Sequence, residues 1–143
     1  SAPKLNAETT SLFSDIQKTV GRWVLGGGLR VERENAEDNE YCFRRGQASL
    51  SASRPLLFDV SGTLGYKFRL TQYDEEPTLF FNDRKDNQHT LGLTLGRKIW
   101  QSETRPEQSL SMNLNFQHIW NFSNLDLYEY RQGLVQLTGT YQF

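Results

Sequence analysis

The stretch Leu110-Ser-Met-Asn-Leu-Asn-Phe-Gln-His-Ile-Trp-Asn-Phe122 carries the strongest pattern in the chain. Leu110, Met112, Leu114 and Phe116 fall on one side, with Ser111, Asn113, Asn115 and Gln117 on the other. Trp120 and Phe122 carry the apolar side onward across His118. Successive side chains of a β-strand point to opposite faces, so a period of two predicts a strand with one apolar and one polar face.

The same period appears on both sides of that stretch. Upstream, Leu91, Leu93, Leu95 and Ile99 oppose Thr90, Gly92, Thr94, Gly96 and Lys98. Earlier, Phe58, Val60, Leu64, Tyr66, Phe68 and Leu70 oppose Asp59, Ser61, Thr63, Gly65, Lys67, Arg69 and Thr71. Trp23, Leu25, Leu29 and Val31 alternate with Gly26, Gly28, Arg30 and Glu32. Downstream, Val135, Leu137, Tyr141 and Phe143 oppose Gln136, Thr138, Thr140 and Gln142. Residues 41–53 carry the pattern weakly, with Ala48, Leu50 and Ala52 in phase. Six strands are therefore predicted, at about 22–33, 41–53, 57–72, 88–100, 109–122 and 132–143.

These strands exceed the ~5–6 residues usual in soluble sheets and meet the ~9–11 that a tilted strand needs to cross a bilayer. Their polar faces are small or amide-rich in the middle, which suits a crowded wet lumen. Their apolar faces place Trp23, Tyr66, Phe68, Trp120, Phe122, Tyr141 and Phe143 near segment ends, as the aromatic girdles of a membrane barrel require. The fold class expected is all-β, an antiparallel transmembrane β-barrel or a segment of one, in the bacterial outer membrane. A soluble β-sandwich is the competing architecture.

Connection lengths alternate in the same sense. Ser53–Leu57 and Gln101–Gln108 read as compact turns, whereas Arg33–Glu40, Tyr73–Asn87 and Asn121–Arg131 read as longer loops. Outer-membrane barrels pair short periplasmic turns with longer outer loops, so the second set is expected outside. Mean hydropathy of −0.66 reflects the absence of any run near the ~20 apolar residues of a spanning helix. A barrel tolerates that value, because only alternate residues of its strands meet lipid.

Residues 1–21 read differently from the rest, which divides the chain into a tail and a strand region at 22–143. Leu12, Phe13, Ile16 and Val20 lie at helical spacing, Thr9 or Thr10 can cap and Gly21 can terminate. A short amphipathic helix or a partly ordered tail is expected there. Single-chain barrels start at eight strands. Six predicted strands leave two choices: strands hidden in residues 1–20 or the long loops, or a barrel shared with other chains.

The residues that carry chemistry are few. Balanced charge, 16 basic against 17 acidic, does not point to nucleic acid as a global partner. His89, His118 and Cys42 are too few to build a zinc site, and one cysteine cannot form an intrachain disulfide. No cofactor is expected. His118 with Ser123 and Asn124 faintly suggests the His-x-Ser-Asn of outer-membrane lipid A deacylases, but the odd offset puts His118 and Ser123 on opposite faces of a strand. Asp74, Glu75, Glu76, Asp83, Arg84, Lys85 and Asp86 read as a solvated loop, or as a contact for divalent cations or lipopolysaccharide. No catalytic or metal-ligating set emerges, and an enzyme is not expected.

Two sets of residues resemble known outer-membrane proteins. Val135-x-Leu-x-Gly-x-Tyr141-x-Phe143 resembles the C-terminal signal through which bacterial barrel-assembly machinery takes up its substrates. Tyr73-Asp-Glu-Glu-Pro-Thr-Leu-Phe-Phe-Asn-Asp-Arg-Lys-Asp86, followed by Phe122-Ser-Asn-Leu-Asp-Leu-Tyr-Glu-Tyr130, resembles the barrel end of surface lipoprotein assembly modulators and related barrels preceded by tetratricopeptide repeats. That resemblance spans about residues 57–143 and implies export of lipoproteins to the cell surface.

The function expected is transport or export across the outer membrane. Arg30, Lys67, Arg69 and Lys98 are the candidate lumen-lining residues; Val135, Leu137, Tyr141 and Phe143 are the candidate assembly signal. Expected partners are outer-membrane lipid and lipopolysaccharide, the assembly machinery, and a companion chain or further copies completing the barrel. A structural subunit anchoring a larger envelope complex is the second reading, and a small barrel enzyme acting on lipid the third.

Overall fold

The computed structural model describes residues 7–36, 42–73 and 83–143. Seven strands run through them: β1 (Ala7–Val20), β2 (Trp23–Ala36), β3 (Phe43–Pro55), β4 (Val60–Tyr73), β5 (Lys85–Gln101), β6 (Ser109–Ser123) and β7 (Tyr130–Gln142). Each is 13 to 17 residues long. They form one sheet in sequence order, every neighbouring pair antiparallel. The sheet is a meander that does not close into a barrel: β1 and β7 each pair on one side only.

Residues 7–20 correct the expectation of a helix or a loose tail. Leu12, Ile16 and Val20 are four apart, a spacing that keeps residues together on a strand as well as on a helix. The two conformations differ at Phe13, which a helix would set beside Leu12. In β1 Leu12 pairs with Val31 and Phe13 with Arg30, on opposite faces of the sheet. Val20 and Trp23 close the β1–β2 hairpin around Gly21 and Arg22. Gly21 has a φ of 60°, and a glycine at the first central position of a two-residue loop matches the twist of the flanking strands. The seventh strand was thus hidden in the tail.

The strand boundaries move as well. Phe58 and Asp59, expected in a strand, both have positive φ (59° and 56°), and the Val60 N–H donates to the Leu57 carbonyl across them. They form a primed turn, and β4 starts at Val60. At the other end of the sheet the strands run further than alternation indicated. β2 continues to Ala36, and β5 already begins at Lys85. Residues 37–41 and 74–82, which hold much of the two longer loops, lie outside the described residues. Residues 124–129 connect β6 to β7 through a short 3-10 helix, Asp126–Tyr128.

Burial is inverted relative to a water-soluble sheet. Among the described residues no hydrophobic side chain is buried. The buried side chains are Thr71, Asp86, Thr90, Ser109 and Asn121, all polar. Cross-strand pairing sets all five on the face that also holds Ser49, Lys67, Asn115 and Gln136. That face is concave, since Ser49, Lys67, Thr90, Asn115 and Gln136, from β3 across to β7, line a single trough of about 430 Å³. The convex face holds Leu29, Leu50, Leu64, Leu93, Phe116 and Leu137, each exposed, with no second layer over them among the described residues.

Candidate functional site

The concave face draws its polar character from one parity of every strand. In β2 that parity gives Gly26, Gly28, Arg30 and Glu32; in β3 Arg45, Gln47, Ser49 and Ser51; in β4 Thr63, Lys67, Arg69 and Thr71. Small residues make room for their neighbours. A Cβ on Gly28 would stand 2.4 Å from Asp15 Oδ1 and 2.8 Å from Ser49 Oγ. Ser53 and Thr63 share a hydroxyl hydrogen bond of 2.8 Å, and Thr94 Oγ1 donates to Asn115 Oδ1 at 2.8 Å.

Arg30, Lys67, Arg69 and Lys98 all project from this face. Arg30 and Arg69 share one register row with Gln47 between them. Both Arg69 Nε and Nη2 donate to Gln47 Oε1, at 3.3 and 3.2 Å. Lys67 stands one residue pair further along. Lys98 does not join them: it sits beside the bulge between Lys98 and Trp100 and donates to Gln101 Oε1 at 3.2 Å. Arg45 belongs to the cluster and was missed. It reaches Glu32 at 3.7 Å, where Arg30 also approaches at 3.5 Å, and its Nε donates to Thr71 Oγ1 at 3.2 Å. Counting back by twos from Ser51, opposite the Ala48-Leu50-Ala52 phase, would have found it.

The two segments singled out by resemblance meet at the rim of this face. Asn124 Nδ2 donates to the Asp83 carbonyl at 2.8 Å, and Asn124 Oδ1 accepts the Lys85 N–H at 2.7 Å. Arg84 lies with its guanidinium carbon 4.4 Å from the centre of the Tyr73 ring and 3.5 Å from that of Tyr128. Its Nε donates to both oxygens of Asp86, at 3.1 and 3.0 Å. Burial works against the charge on Arg84, but the hydrogen bond and the charge of Asp86 outweigh it and raise its pKa above the ordinary value. Gln88 Nε2 donates to the Tyr130 hydroxyl at 2.7 Å, and Asn121 Nδ2 to the Tyr128 carbonyl at 2.8 Å. Arg84 and Asp86 are therefore not simply solvated: Asp86 is buried in β5, and Arg84 sits between the Tyr73 and Tyr128 rings, while Lys85 stays exposed. Asp74, Glu75 and Glu76 lie outside the described residues.

On the convex face, aromatics gather toward both ends. The Tyr66 hydroxyl and His89 Nδ1 are 2.6 Å apart, and the Phe68 and Phe122 rings lie 4.9 and 5.8 Å from that of His89. His118 packs on Trp120 at 4.3 Å. His118 and Ser123 lie on opposite faces, so these two side chains do not converge. At the other end Arg54 lies 4.9 Å over Trp23. Val135, Leu137 and Tyr141 follow one another along the convex side of β7, and Phe143 stacks on Tyr141 at 6.1 Å just past its end. Among the described residues no group of three or more His, Cys, Asp or Glu is arranged to hold a metal.

No helix among the described residues is long and apolar enough to cross a membrane, a test that says nothing about strands. No protein-family model, curated protein or solved structure matches the chain.

Proposed function

We propose that this chain forms part of the wall of a transmembrane β-barrel in the bacterial outer membrane, with its concave polar face lining a path for transport or export. The inversion of burial carries the reading. Each exposed Leu or Phe forgoes roughly 1.5–3 kcal/mol of burial in water, and the convex face presents a continuous field of them. Lipid removes that cost without any second protein layer. The polar face supplies what an aqueous lumen needs, namely hydrogen-bonding side chains and cations set by Arg30, Arg45, Lys67 and Arg69. Strands of 13 to 17 residues cover the bilayer with residues to spare.

The resemblance to surface lipoprotein assembly modulators fits this reading, because the two loop segments that carry it bind each other and brace the rim. Lipopolysaccharide and outer-leaflet lipid would then surround the convex face, and the barrel-assembly machinery would deliver the chain. A second reading, a structural subunit within a larger envelope complex, is favoured by the two unpaired edges.

Planar-bilayer recording tests the first reading. The barrel containing this chain is expected to conduct, and Arg45→Glu with Arg69→Glu to shift its ion selectivity toward cations. A sealed bilayer with normally assembled protein would leave the structural role standing alone.

A further inference from the structure

The open edges constrain what completes the barrel. Every junction from β1 to β7 is antiparallel, so odd-numbered strands run one way and even-numbered strands the other. β1 and β7 therefore run in the same direction. Closing the sheet on itself would force them into a parallel pair. Further copies inserted in the same orientation do not help, since β7 of one copy would meet β1 of the next, again parallel. Copies inserted upside down would pair antiparallel, but would put the compact turns 56–59 and 102–108 on both sides of the membrane. Bacterial outer-membrane barrels are antiparallel with an even strand number. In lipid every unpaired backbone group of an edge costs several kcal/mol, so neither edge can stay bare.

We infer that the remaining wall is a β-meander of an odd number of strands, antiparallel to β1 at one edge and to β7 at the other. This inference rests on the membrane-barrel reading. The occupant's chemistry is set by the edges it must continue. Against β7 it meets Val135 and Leu137 on the lipid side and Gln136 and Thr138 on the lumen side. Against β1 it meets Leu12 and Ile16 outside, and Ser11 and Asp15 inside. Its strands must therefore alternate apolar and polar in the same phase. One added strand would give the smallest closed barrel known for this class, of about eight strands.

Photo-cross-linking in outer membranes reads strand direction. Benzoylphenylalanine is placed singly at Leu134, Gln136 and Thr138 in β7, and at Phe13, Asp15 and Gln17 in β1, and each adduct is mapped to a residue by mass spectrometry. As the probe advances toward the C-terminus, the attachment point is expected to retreat toward the N-terminus of the neighbouring strand, at both edges. The two neighbouring strands should be the first and last of an odd-stranded stretch. Adducts joining β1 to β7 in parallel order, within one chain or between copies, would overturn the inference. So would β7–β7 adducts of inverted copies, or probes that react with nothing at either edge. Flotation of the same membranes keeps the two levels apart: a floating chain with parallel adducts overturns only the strand count, whereas a chain that fails to float removes the membrane reading and the inference with it.

Discussion

The two faces of this sheet obey opposite rules. The concave face is crowded and specific: hydroxyls, amides and guanidiniums are matched in pairs, and glycines sit where a Cβ would strike a neighbour. The convex face is mostly apolar, its specific contacts gather among aromatics toward the two ends, and its aliphatic side chains lie open along the strands. In a soluble protein the crowded face would be the apolar one. On the proposed membrane reading, the surroundings take the place of the core. On that reading, the convex side is expected to tolerate changes of shape but not of charge, and the concave side to tolerate charge where the trough is open.

The largest expected effect is a charge placed on the convex apolar face. Leu93 pairs with Leu64 and Phe116, and Leu114 with Leu95 and Leu137, in the middle of the convex face. Leu93→Arg and Leu114→Arg are each expected to destabilise by about 2–4 kcal/mol if they lie near the bilayer midplane. Thr94→Arg, one residue away but facing the trough, is expected to cost less than about 1 kcal/mol, the scale of its lost hydrogen bond to Asn115. Urea titration in lipid vesicles measures all three. Equal losses would mean that neither face meets lipid.

The rim sharpens the other half of the comparison. Arg84→Ala leaves Asp86 buried without its guanidinium and separates Tyr73 from Tyr128; a loss of about 2 kcal/mol is expected. Arg84→Lys restores the charge but not the planar fork or the ring stacking, and should recover only part of it. A double-mutant cycle with Asp86→Asn checks the coupling, since independent losses would show that the two side chains do not act as a pair.

How much of this could be read in the residues follows from the same asymmetry. β4, β5, β6 and β7 were legible because an apolar face and a polar face impose a period of two. β1 was not, because Leu12, Ile16 and Val20 satisfy both periods and the only discriminating residue, Phe13, turns inward beside Arg30. The far end of β2 and the start of β5 were missed for a different reason. There both faces are polar, so alternation disappears while backbone pairing continues. Parity alone puts Arg30, Lys67, Arg69 and Lys98 on one face, but their grouping depends on register, and register is a property of strand pairs. Arg84, Asn124 and Tyr128 were noticed as motifs, yet their mutual contact joins residues some forty positions apart, and no local pattern encodes it.

A smaller test separates the faces within three consecutive glycines. Gly28 faces the trough, where a Cβ would meet Asp15 and Ser49, whereas Gly27 faces outward with Ile16 and Leu50 no nearer than 3.6 Å. Gly28→Val is expected to cost about 1 kcal/mol, because the obstructing atoms are side-chain ends that can rotate away. Gly27→Val should be close to neutral, or slightly stabilising, since a β-branched residue suits a strand. The reverse order would undo the assignment of fit to the concave face.

The smallest equilibrium effect is expected at Phe143, and it isolates kinetics from stability. Its ring is 89% exposed and touches Tyr141 alone among aromatic neighbours, so Phe143→Ala should change the urea midpoint of the detergent-folded protein by less than about 0.5 kcal/mol. Before insertion, however, Val135, Leu137, Tyr141 and Phe143 form one apolar stripe along a free edge. An assembly factor can engage such an edge by strand addition, reading the alternate side chains. The variant is therefore expected to accumulate unassembled in the periplasm while refolding normally from urea into detergent. Pulse-labelling followed by heat-modifiability on gels measures the assembly rate in cells. Assembly at the normal rate, with Tyr141→Ala equally silent, would show that this stripe serves only the lipid contact and carries no signal.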